Sequence, residues 1–400
     1  MRILFLTPEL PYPADSGATI KTASILEYLR RRHDVHVLCF QRRALTQEQA
    51  RWCAEIGSAE TVSLNRGRTP LNLVRSYLRG IPLSIERNRS ERMAALVSQR
   101  LSDEGYDVVF ADGWLMAQYL PRGFGGLTVL HEHNAEHVMW RRQAEREGNP
   151  LLRALIRLEY RRVRSYEASI LSRFDIVFAV SDADRQALIE LGAEPEQLRL
   201  LPNLPDPTLL ERPALSFAAA EPVILYFGTL SWPPNVEGLQ HFLNSVFPLL
   251  RQRVPEARFV VAGKGAPAWL ERLARRTAGV EFVGPVEDAE PLYRQARVFI
   301  EASRSGGGTR LKLLNALARG LPVVASPEGA EGLELVAGEH LLIASDAESM
   351  AEAVGRLLLS EDGLWRTLSE NGRALVRSHY LAEAAYGPLD EVLSGAGAKA

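Results

Sequence analysis

The chain has 400 residues, of which 46% are hydrophobic and 24% are charged, and this composition excludes an intrinsically disordered protein. A chain of this length usually forms two domains, because a single hydrophobic core seldom grows so large. The formal net charge is only −2, and the two cysteines, Cys39 and Cys53, exclude a disulfide scaffold and favour the cytoplasm.

Short apolar runs rich in Val, Ile, Leu and Phe recur along the chain, each followed by a turn and an amphipathic stretch. The first run is stopped by Pro8 and is too short for a signal peptide. No run approaches the length of a membrane span. Strands that alternate with helical patterns predict βαβ units and parallel sheets. We predict strands at residues 3–6, 35–40, 107–111, 127–131, 175–180, 223–227, 258–262, 280–283, 297–301 and 322–325.

The strand pattern runs twice, which predicts an α/β fold of two open domains whose parallel sheets face each other across a cleft. Residues 203–222 are rich in proline and alanine and are predicted as the linker. The domains are then residues 1–202 and 223–378. We expect residues 379–400 to form a C-terminal helix that packs back toward the first domain.

The loop after the first strand, residues 11–19, contains small residues and enters a helix predicted from about residue 19 to 31. Its backbone N–H groups could approach an anion at the helix N-terminus. A plain strand-to-helix turn would look the same, so this loop alone leaves both interpretations open.

Three of the chain's eight histidines, His131, His133 and His137, follow the strand at 127–131 within seven residues. Strand alternation places His131 and His133 on one face, where a histidine near its ordinary pKa can exchange a proton or bind a ligand hydroxyl. Structural histidines remain an alternative. A metal site is not expected, because the sequence offers no further ligand at a suitable spacing.

The turn Gly263-Lys264-Gly265 follows the strand at 258–262 and formally satisfies a dinucleotide-binding fingerprint. It sits on the second strand of its domain, however, and the acidic residue required downstream could only be Glu281, inside a strand. We therefore interpret it as a phosphate-facing turn with a lysine.

The strongest signal is the segment 303–312, with three consecutive glycines followed by Thr309, Arg310 and a helix that ends at Gly320. Glycines allow unusual backbone conformations, Thr309 can cap the helix, and the guanidinium fork of Arg310 suits phosphate oxygens. An anion site is predicted, although a glycine loop with a structural role alone stays open. The segment lacks the pattern of a P-loop.

Residues 182–184 formally make an Asp-x-Asp motif, which can bind a metal ion. Because Ser181 and Asp182 follow a predicted strand and precede a helical pattern, helix capping explains them better.

Several of these segments together resemble the retaining glycosyltransferases of the GT-B fold, specifically the large family 4 group. The resemblance implies two Rossmann-like domains, the second binding a nucleotide sugar and the first binding the acceptor. It also implies transfer with retention and without a metal or other cofactor. The residues that carry it are the opening strand and its loop, His133-Asn134, Leu201-Pro202-Asn203, Tyr226-Phe227-Gly228, Phe282-Val283-Gly284, the glycine loop, and the segment 320–326.

Carried onto this sequence, the resemblance places His133 at the transferring sugar as the catalytic residue and Gly17 near the donor phosphates. Lys264 and Arg310 would neutralise the diphosphate, and backbone groups around Val283 and Gly284 would meet the base. Acceptor contacts are expected from Tyr12, Asp112 and His137. The remaining donor-binding residues would be Gly228, Gly307, Gly308, Thr309 and Asn315.

This sequence departs from the family at two glutamates eight positions apart, which fall here on Gly307 and Asn315. It resembles a glycine-rich variant in which backbone amides and Arg310 replace part of the lost contacts. The family's Pro-Asn-Gly-Val-Asp pattern is likewise reduced to residues 202–206, Pro-Asn-Leu-Pro-Asp.

The expected partners are a nucleotide-sugar donor and a glycan, lipid-linked or small-molecule acceptor, with no nucleic acid. Residues 66–100 hold eight arginines against two glutamates, and an amphipathic helix is predicted at 153–164, so we also expect peripheral contact with an anionic membrane at its cytoplasmic face. A solvated arginine-rich face is the alternative. A hydrolase or epimerase of the same fold, or a degenerate binding protein, are the other functions left open.

Overall fold

The computed structural model describes residues 1–14, 16–64, 67, 69–304, 310–359 and 363–397. The chain forms two compact units. The first unit comprises Met1–Pro202 and Tyr386–Ala400, and the second comprises Asn203–Ala385. The stretch 203–222, predicted as a linker, falls within the second unit.

Each unit contains one sheet in which all paired strands run parallel. The strands of the first unit are β1 Arg2–Thr7, β2 Asp34–Gln41, β3 Ala59–Ser63, β4 Val108–Asp112, β5 Leu127–His131, β6 Ile176–Ala179 and β7 Leu198–Leu200. Those of the second are β8 Val223–Phe227, β9 Arg258–Ala262, β10 Val280–Gly284, β11 Val298–Glu301, β12 Val323–Ala325 and β13 Leu342–Ile343.

Helices connect the successive strands of each sheet, except β4 and β5. In chain order they are α1 Gly17–Arg30, α2 Gln47–Ile56, α3 Pro70–Leu78, α4 Leu83–Arg87, α5 Glu91–Asp103, α6 Glu136–Arg146, α7 Pro150–Leu171, α8 Asp182–Leu191, α9 Thr208–Glu211, α10 Pro233–His241, α11 Phe247–Arg253, α12 Ala268–Arg276, α13 Glu290–Gln295, α14 Leu311–Arg319, α15 Pro327–Ala330, α16 Ala347–Leu359, α17 Leu364–His379, α18 Ala382–Ala385 and α19 Gly387–Gly397. A π-helical segment, Phe242–Val246, joins α10 to α11, and 3₁₀ turns occur at Ala117–Tyr119, Pro195–Gln197 and Phe217–Ala219.

The ten strands predicted from apolar runs are all present, with ends that differ by one residue at most. Their apolar character follows from burial on both faces: in β1 the side chains of residues 3–6 are completely buried, and Phe5 stacks on Phe110 with ring centroids 4.9 Å apart. Three strands were missed: β3, β7 and β13. They are short, lie at or next to a sheet edge and are only partly buried, so no continuous apolar run marks them.

The predicted C-terminal helix is divided between the units, because α18 belongs to the second unit and α19 to the first. Within the first unit, Tyr28 OH donates a hydrogen bond to Asp390 Oδ2 of α19 at 2.6 Å. Leu389 and Leu393 of α19 are buried, and Tyr386, which precedes α19, donates its hydroxyl to Ser24 Oγ at 3.1 Å. The helix thus completes the first unit.

The strand orders are β3-β2-β1-β4-β5-β6-β7 and β10-β9-β8-β11-β12-β13. In each sheet the order reverses once, between β1 and β4 and between β8 and β11. Open parallel sheets bind ligands at the carboxyl ends of the strands beside such a reversal. None of the described helices is both long and apolar enough to cross a membrane.

Candidate functional site

A single carboxylate organises the strand ends at the reversal point of the first sheet. Asp112 ends β4 opposite His131 of β5, and its side chain is completely buried. Its Oδ1 lies 2.7 Å from His131 Nδ1 and 2.8 Å from His133 Nε2. Its Oδ2 accepts hydrogen bonds from Thr22 at 2.5 Å and from Thr7 at 3.3 Å. The ends of β1, β4 and β5 and helix α1 therefore meet at one negative charge.

The charge states of this cluster follow from its burial and its hydrogen bonds. Burial opposes ionisation of Asp112, but the electrostatic influence of His133 and hydrogen bonds from both histidines outweigh it and hold the pKa of Asp112 well below its ordinary value. Burial lowers the pKa of His131 to about 3, against the opposing hydrogen bond with Asp112. His131 is therefore neutral near pH 7 and donates Nδ1–H to an ionised carboxylate.

His133 is the member of the cluster that reaches the surface. Its side chain is 19% exposed, and its ring centroid lies 4.7 Å from that of His131. Because Nε2 faces Asp112, Nδ1 is the ring nitrogen that can accept a hydrogen bond from a ligand hydroxyl. The prediction that His131 and His133 lie on the same side is confirmed, since both reach one oxygen. The expectation of a ligand-facing histidine near its ordinary pKa is wrong for His131, because this side chain is completely buried and neutral. The catalytic role of His133 stays a prediction.

The same three residues, Asp112, His131 and His133, place their possible ligand atoms within 4.8 Å of one another, which is close enough to hold a metal ion. Sequence spacing did not reveal this group, because Asp112 comes from a neighbouring strand, 19 residues before His131. In the structure one carboxylate oxygen joins both histidines through hydrogen bonds. The absence of a metal requirement remains a prediction.

The expected acceptor residues have differing environments. Tyr12 stacks on Trp52 with ring centroids 5.9 Å apart. His137 is buried, and its Nδ1 lies 2.7 Å from Glu167 Oε2, which also accepts the His137 backbone N–H at 2.9 Å. Asp112 has no exposed surface, and its oxygens are used by protein donors. Direct contact of Asp112 with an acceptor is therefore not available in this geometry, and Asp112 instead orients His133.

Gly17 is the first residue of α1, and the side chain of Ser16 accepts the Thr19 N–H in a capping box. A Cβ atom at Gly17 would meet no described atom within 4 Å. The packing of the first unit thus leaves room beside this helix end.

A buried ion pair lies at the reversal point of the second sheet. Glu301 ends β11, and its Oε2 lies 2.8 Å from Lys312 Nζ in the first turn of α14. The same ammonium donates to Asn235 Oδ1 at 2.5 Å and to Tyr226 OH at 3.0 Å. The other oxygen of Glu301 accepts the Ser303 N–H at 3.0 Å. Three protein acceptors surround the ammonium, so Lys312 holds β8, β11 and α14 together.

The electrostatics around this ion pair favour an anion. Burial would raise the pKa of Glu301, but the positive charges of Lys312 and Arg310 outweigh it and lower that pKa. Burial lowers the pKa of Lys312, which Glu301 partly offsets. Two cations against one carboxylate leave a positive charge at the N-terminus of α14, where the helix dipole has the same sign.

Arg310 occupies the N-cap position of α14, is 8% exposed and donates Nη2 to the Glu328 carbonyl at 3.3 Å. Thr309 was expected to cap this helix. Thr309, Gly307 and Gly308 lie outside the described residues.

Glycines bring the ends of β8, β9 and β10 together. Gly263 N–H donates to the Gly284 carbonyl at 2.8 Å, and a Cβ atom at Gly263 would lie 1.8 Å from the Gly228 carbonyl oxygen. Gly263 also has φ of +147°, so only glycine fits there. Lys264 follows it with an exposed side chain, and Val283 is 37% exposed. The donor-binding residues predicted in these turns are therefore neighbours.

Asn315 uses its amide oxygen within the second unit. Oδ1 accepts the backbone N–H of Asp206 at 2.9 Å, in the segment where the family pattern is reduced. A contact between Asn315 and a donor stays a prediction.

The capping interpretation of the Asp-x-Asp motif is confirmed. Ser181 Oγ accepts the Asp184 N–H at 3.1 Å, and Asp184 Oδ1 accepts the Ala135 N–H at 2.8 Å. Asp182 is exposed and pairs with Arg185.

Sequence reasoning missed the acceptors around Lys312, namely Glu301, Tyr226 and Asn235. One signal was present: an acidic residue closes the otherwise apolar strand β11 immediately before the glycine loop. Such a carboxylate needs a cationic partner when it is buried.

Comparison with known proteins relates both halves of the chain to one class. Residues 16–204 match a family model described as a glycosyl transferase 4-like domain, and residues 221–360 match the model of glycosyl transferases group 1. Among curated proteins, an uncharacterized 44.6 kDa protein in the cps region of Klebsiella pneumoniae is 21% identical over 395 residues, covering 95% of this chain and 96% of that protein.

Solved structures share the fold over the whole chain. HepE from Anabaena, determined in complex with UDP and glucose, is 17% identical with a TM-score of 0.68, covering 99% of this chain and 100% of HepE. Sucrose-phosphate synthase from Thermosynechococcus elongatus is 21% identical with a TM-score of 0.71, covering 100% of both chains.

Proposed function

Because the chain belongs to the group 1 glycosyltransferases of the GT-B fold, we propose that it transfers a hexosyl group from a nucleoside diphosphate sugar to an acceptor hydroxyl. The proposed transfer retains the anomeric configuration and needs no metal ion or other cofactor. The proposed acceptor is a glycan or a lipid-linked sugar, and the proposed location is the cytoplasm, in keeping with the free thiols of Cys39 and Cys53.

A uridine nucleotide is the proposed donor. HepE has been determined in complexes with UDP and with UDP-glucose, and it shares the fold of this chain from end to end. The net positive charge at the N-terminus of α14 supports binding of a diphosphate in the second unit.

The observation that carries the proposed function is the pair of charged clusters at the two reversal points. In the proposed reaction the bond between the anomeric carbon and the diphosphate oxygen breaks, and the acceptor oxygen bonds to that carbon on the same face. Arg310 and the N-terminus of α14 stabilise the charge that develops on the leaving diphosphate, which is the role a metal ion otherwise fills. The acceptor proton leaves with the diphosphate.

His133 holds the transferring sugar in this scheme. Asp112 fixes the orientation of the ring through Nε2, so Nδ1 is directed to a sugar hydroxyl and little reorganisation is needed during transfer. Asp112 acts through His133 and is a positioning residue.

The first test is a thermal-shift screen with UDP, GDP and ADP, because a ligand that binds only the folded state raises the melting temperature. We expect UDP to give the largest shift. Labelled UDP-glucose is then incubated with glycan and lipid-linked acceptors, with and without EDTA. Transferred sugar that persists in EDTA supports the proposal; free sugar alone indicates a hydrolase, altered sugar an epimerase, and binding without turnover a degenerate protein.

Loss of all activity in EDTA, restored by a divalent ion, would contradict metal independence. Asp112, His131 and His133 would then be the candidate metal ligands. The anomeric configuration of the product, determined by nuclear magnetic resonance, decides between retention and inversion.

A further inference from the structure

Two helices of the first unit carry most of the large apolar side chains that are exposed in the described part of the chain. Leu78 is 83% exposed and Leu151 is 72% exposed. Helix α3 and the first half of α7 together expose Leu71, Leu73, Val74, Tyr77, Leu78, Leu151, Leu152, Leu155 and Leu158. An exposed apolar set of this size marks an interaction surface.

Helix α7 is apolar on two separate sides. Ile156, Val163 and Ile170 are buried and face the unit. Leu151, Leu155 and Leu158 follow the i, i+4, i+7 spacing of a second stripe, and all three are exposed. A surface helix of a globular protein usually presents polar residues on that side. The second stripe is therefore not explained by folding of the unit.

The exposed side chains of α3 belong to the same surface as the stripe on α7. The guanidinium carbon of Arg162, one further turn along that stripe, lies 4.2 Å from the ring centroid of Tyr77 in α3. Just beyond α3, Leu83 N–H donates to Glu159 Oε1 at 2.7 Å. The two helices are therefore neighbours, and we define the α3–α7 surface as their nine exposed apolar residues named above with the arginines beside them.

Those arginines give the surface a positive charge. Arg75 in α3 and Arg157, Arg161 and Arg164 in α7 are exposed. Helix α3 contains no carboxylate, and the carboxylate of Glu159 in α7 is bonded to the Leu83 N–H and to Arg162 at 2.7 Å. Protruding leucines beside arginines complement a bilayer, whose acyl region takes up apolar side chains and whose anionic head groups pair with guanidinium groups.

We propose that the α3–α7 surface docks the protein on an anionic membrane leaflet. The leucines enter the boundary between head groups and acyl chains, and the arginines bind lipid phosphates. The docking is independent of the proposed sugar transfer, because no residue of the Asp112 or Glu301 clusters lies on this surface. It would bring the first unit to lipid-linked acceptors.

The experiment measures flotation of the full-length protein with phosphatidylcholine vesicles that contain or lack phosphatidylglycerol, at low and high salt. We expect binding to the phosphatidylglycerol vesicles at low salt and weaker binding at high salt, because salt screens the arginines. Reversing two charges, Arg157→Glu with Arg161→Glu, should weaken binding about 25-fold or more, since each basic residue near an anionic surface contributes about fivefold. Leu78→Glu with Leu151→Glu should abolish flotation, because these leucines are proposed to enter the acyl region.

Matched controls lie in the second unit. Arg366→Glu with Arg377→Glu makes the same charge change on exposed arginines of α17, and Val336→Glu with Ile343→Glu replaces exposed apolar residues. Both controls should float as the native protein does. Melting curves of every variant establish that these exposed substitutions leave the fold intact.

Failure of the native protein to float with phosphatidylglycerol vesicles at low salt would overturn the proposal, as would equal losses in the control variants. Light scattering after size exclusion provides a second check. A native dimer that the leucine variants convert to monomers, without any flotation, would show that the surface instead binds a second copy of this chain.

Discussion

Each unit ends the strand beyond its reversal point with a completely buried carboxylate, Asp112 of β4 and Glu301 of β11, but the two units surround that carboxylate with different partners. In the first unit the central group is the carboxylate of Asp112, which collects hydrogen bonds from two histidines and two threonines. In the second unit Glu301 forms an ion pair with the ammonium of Lys312, which also donates to Asn235 and Tyr226.

This comparison shows that the charged residues of the two clusters have two functions: some stabilise the fold, and others are available to bind a ligand. Asp112 and Lys312 are engaged by protein groups, whereas His133 beside Asp112 and Arg310 at the N-cap of α14 are the residues proposed to bind ligand. Residue type alone does not show which cation stabilises the fold and which binds ligand, because Arg310 and Lys312 lie two positions apart in the same motif. Substitutions that separate stability from ligand binding sharpen the comparison.

The largest effect is expected for the central lysine. Lys312→Ala should lower the free energy of unfolding by about 3 kcal/mol or more, because it leaves Glu301 buried without its main partner. Urea denaturation measures the change. Combining Lys312→Ala with Glu301→Gln should recover part of the loss, whereas Arg366→Ala on the surface of α17 should have little effect. Full stability of Lys312→Ala would show that the ion pair does not hold the second cluster together.

The next largest effect concerns the rim of the first cluster. His133→Ala should lower kcat by a factor on the order of 10² or more, because this residue is proposed to hold the transferring sugar. The melting temperature should change little, because Asp112 keeps its bonds with His131, Thr22 and Thr7. His379→Ala, an exposed histidine of the second unit, is the control. If His133→Ala turned over as fast as the native protein, His133 would not be a catalytic residue.

The third prediction compares two donor contacts. Arg310→Ala should weaken UDP binding by about 2 kcal/mol or more and raise KM for the nucleotide sugar, since the proposed desolvated contact between the guanidinium and the diphosphate is lost. Asn315→Ala should cost clearly less, because its amide oxygen is already bonded to the Asp206 N–H. Calorimetric titration with UDP measures both. Equal losses would show that a contact between Asn315 and the donor matters as much as the contact between Arg310 and the diphosphate.

The smallest effect is the pH dependence of the first cluster. The pKa of His131 is about 3 in the folded protein and 6.5 ordinarily, so the unfolded chain takes up the proton first and stability is lost as pH falls through this window. Between about pH 7 and about pH 5.5 this one group should cost about 1 kcal/mol.

His131→Asn retains a donor toward Asp112 but does not titrate, so its stability should fall less over that pH range. Chemical denaturation at the two pH values compares the proteins. Identical pH dependence in both would show that His131 is not kept neutral by burial.

Strand ends were predictable from the sequence because apolar runs and the turns after them are local. The side of the strand shared by His131 and His133 was likewise predictable from alternation. The partner of both histidines was not, because Asp112 reaches them only through the register that sets β4 against β5. Likewise, only the packing of α14 on β8 and β11 brings Lys312 to Tyr226 and Glu301, although each of these residues lies in a segment that the sequence singled out.

The short helix α19 has a consequence for synthesis on the ribosome. The second unit is contiguous in the chain and is complete once Ala385 has emerged, whereas the first unit lacks Tyr386, Leu389 and Leu393 until the residues after the second unit are made. Domains usually fold in the order in which they are translated. Here the half that is translated first acquires its last buried side chains only after the whole second unit has been made.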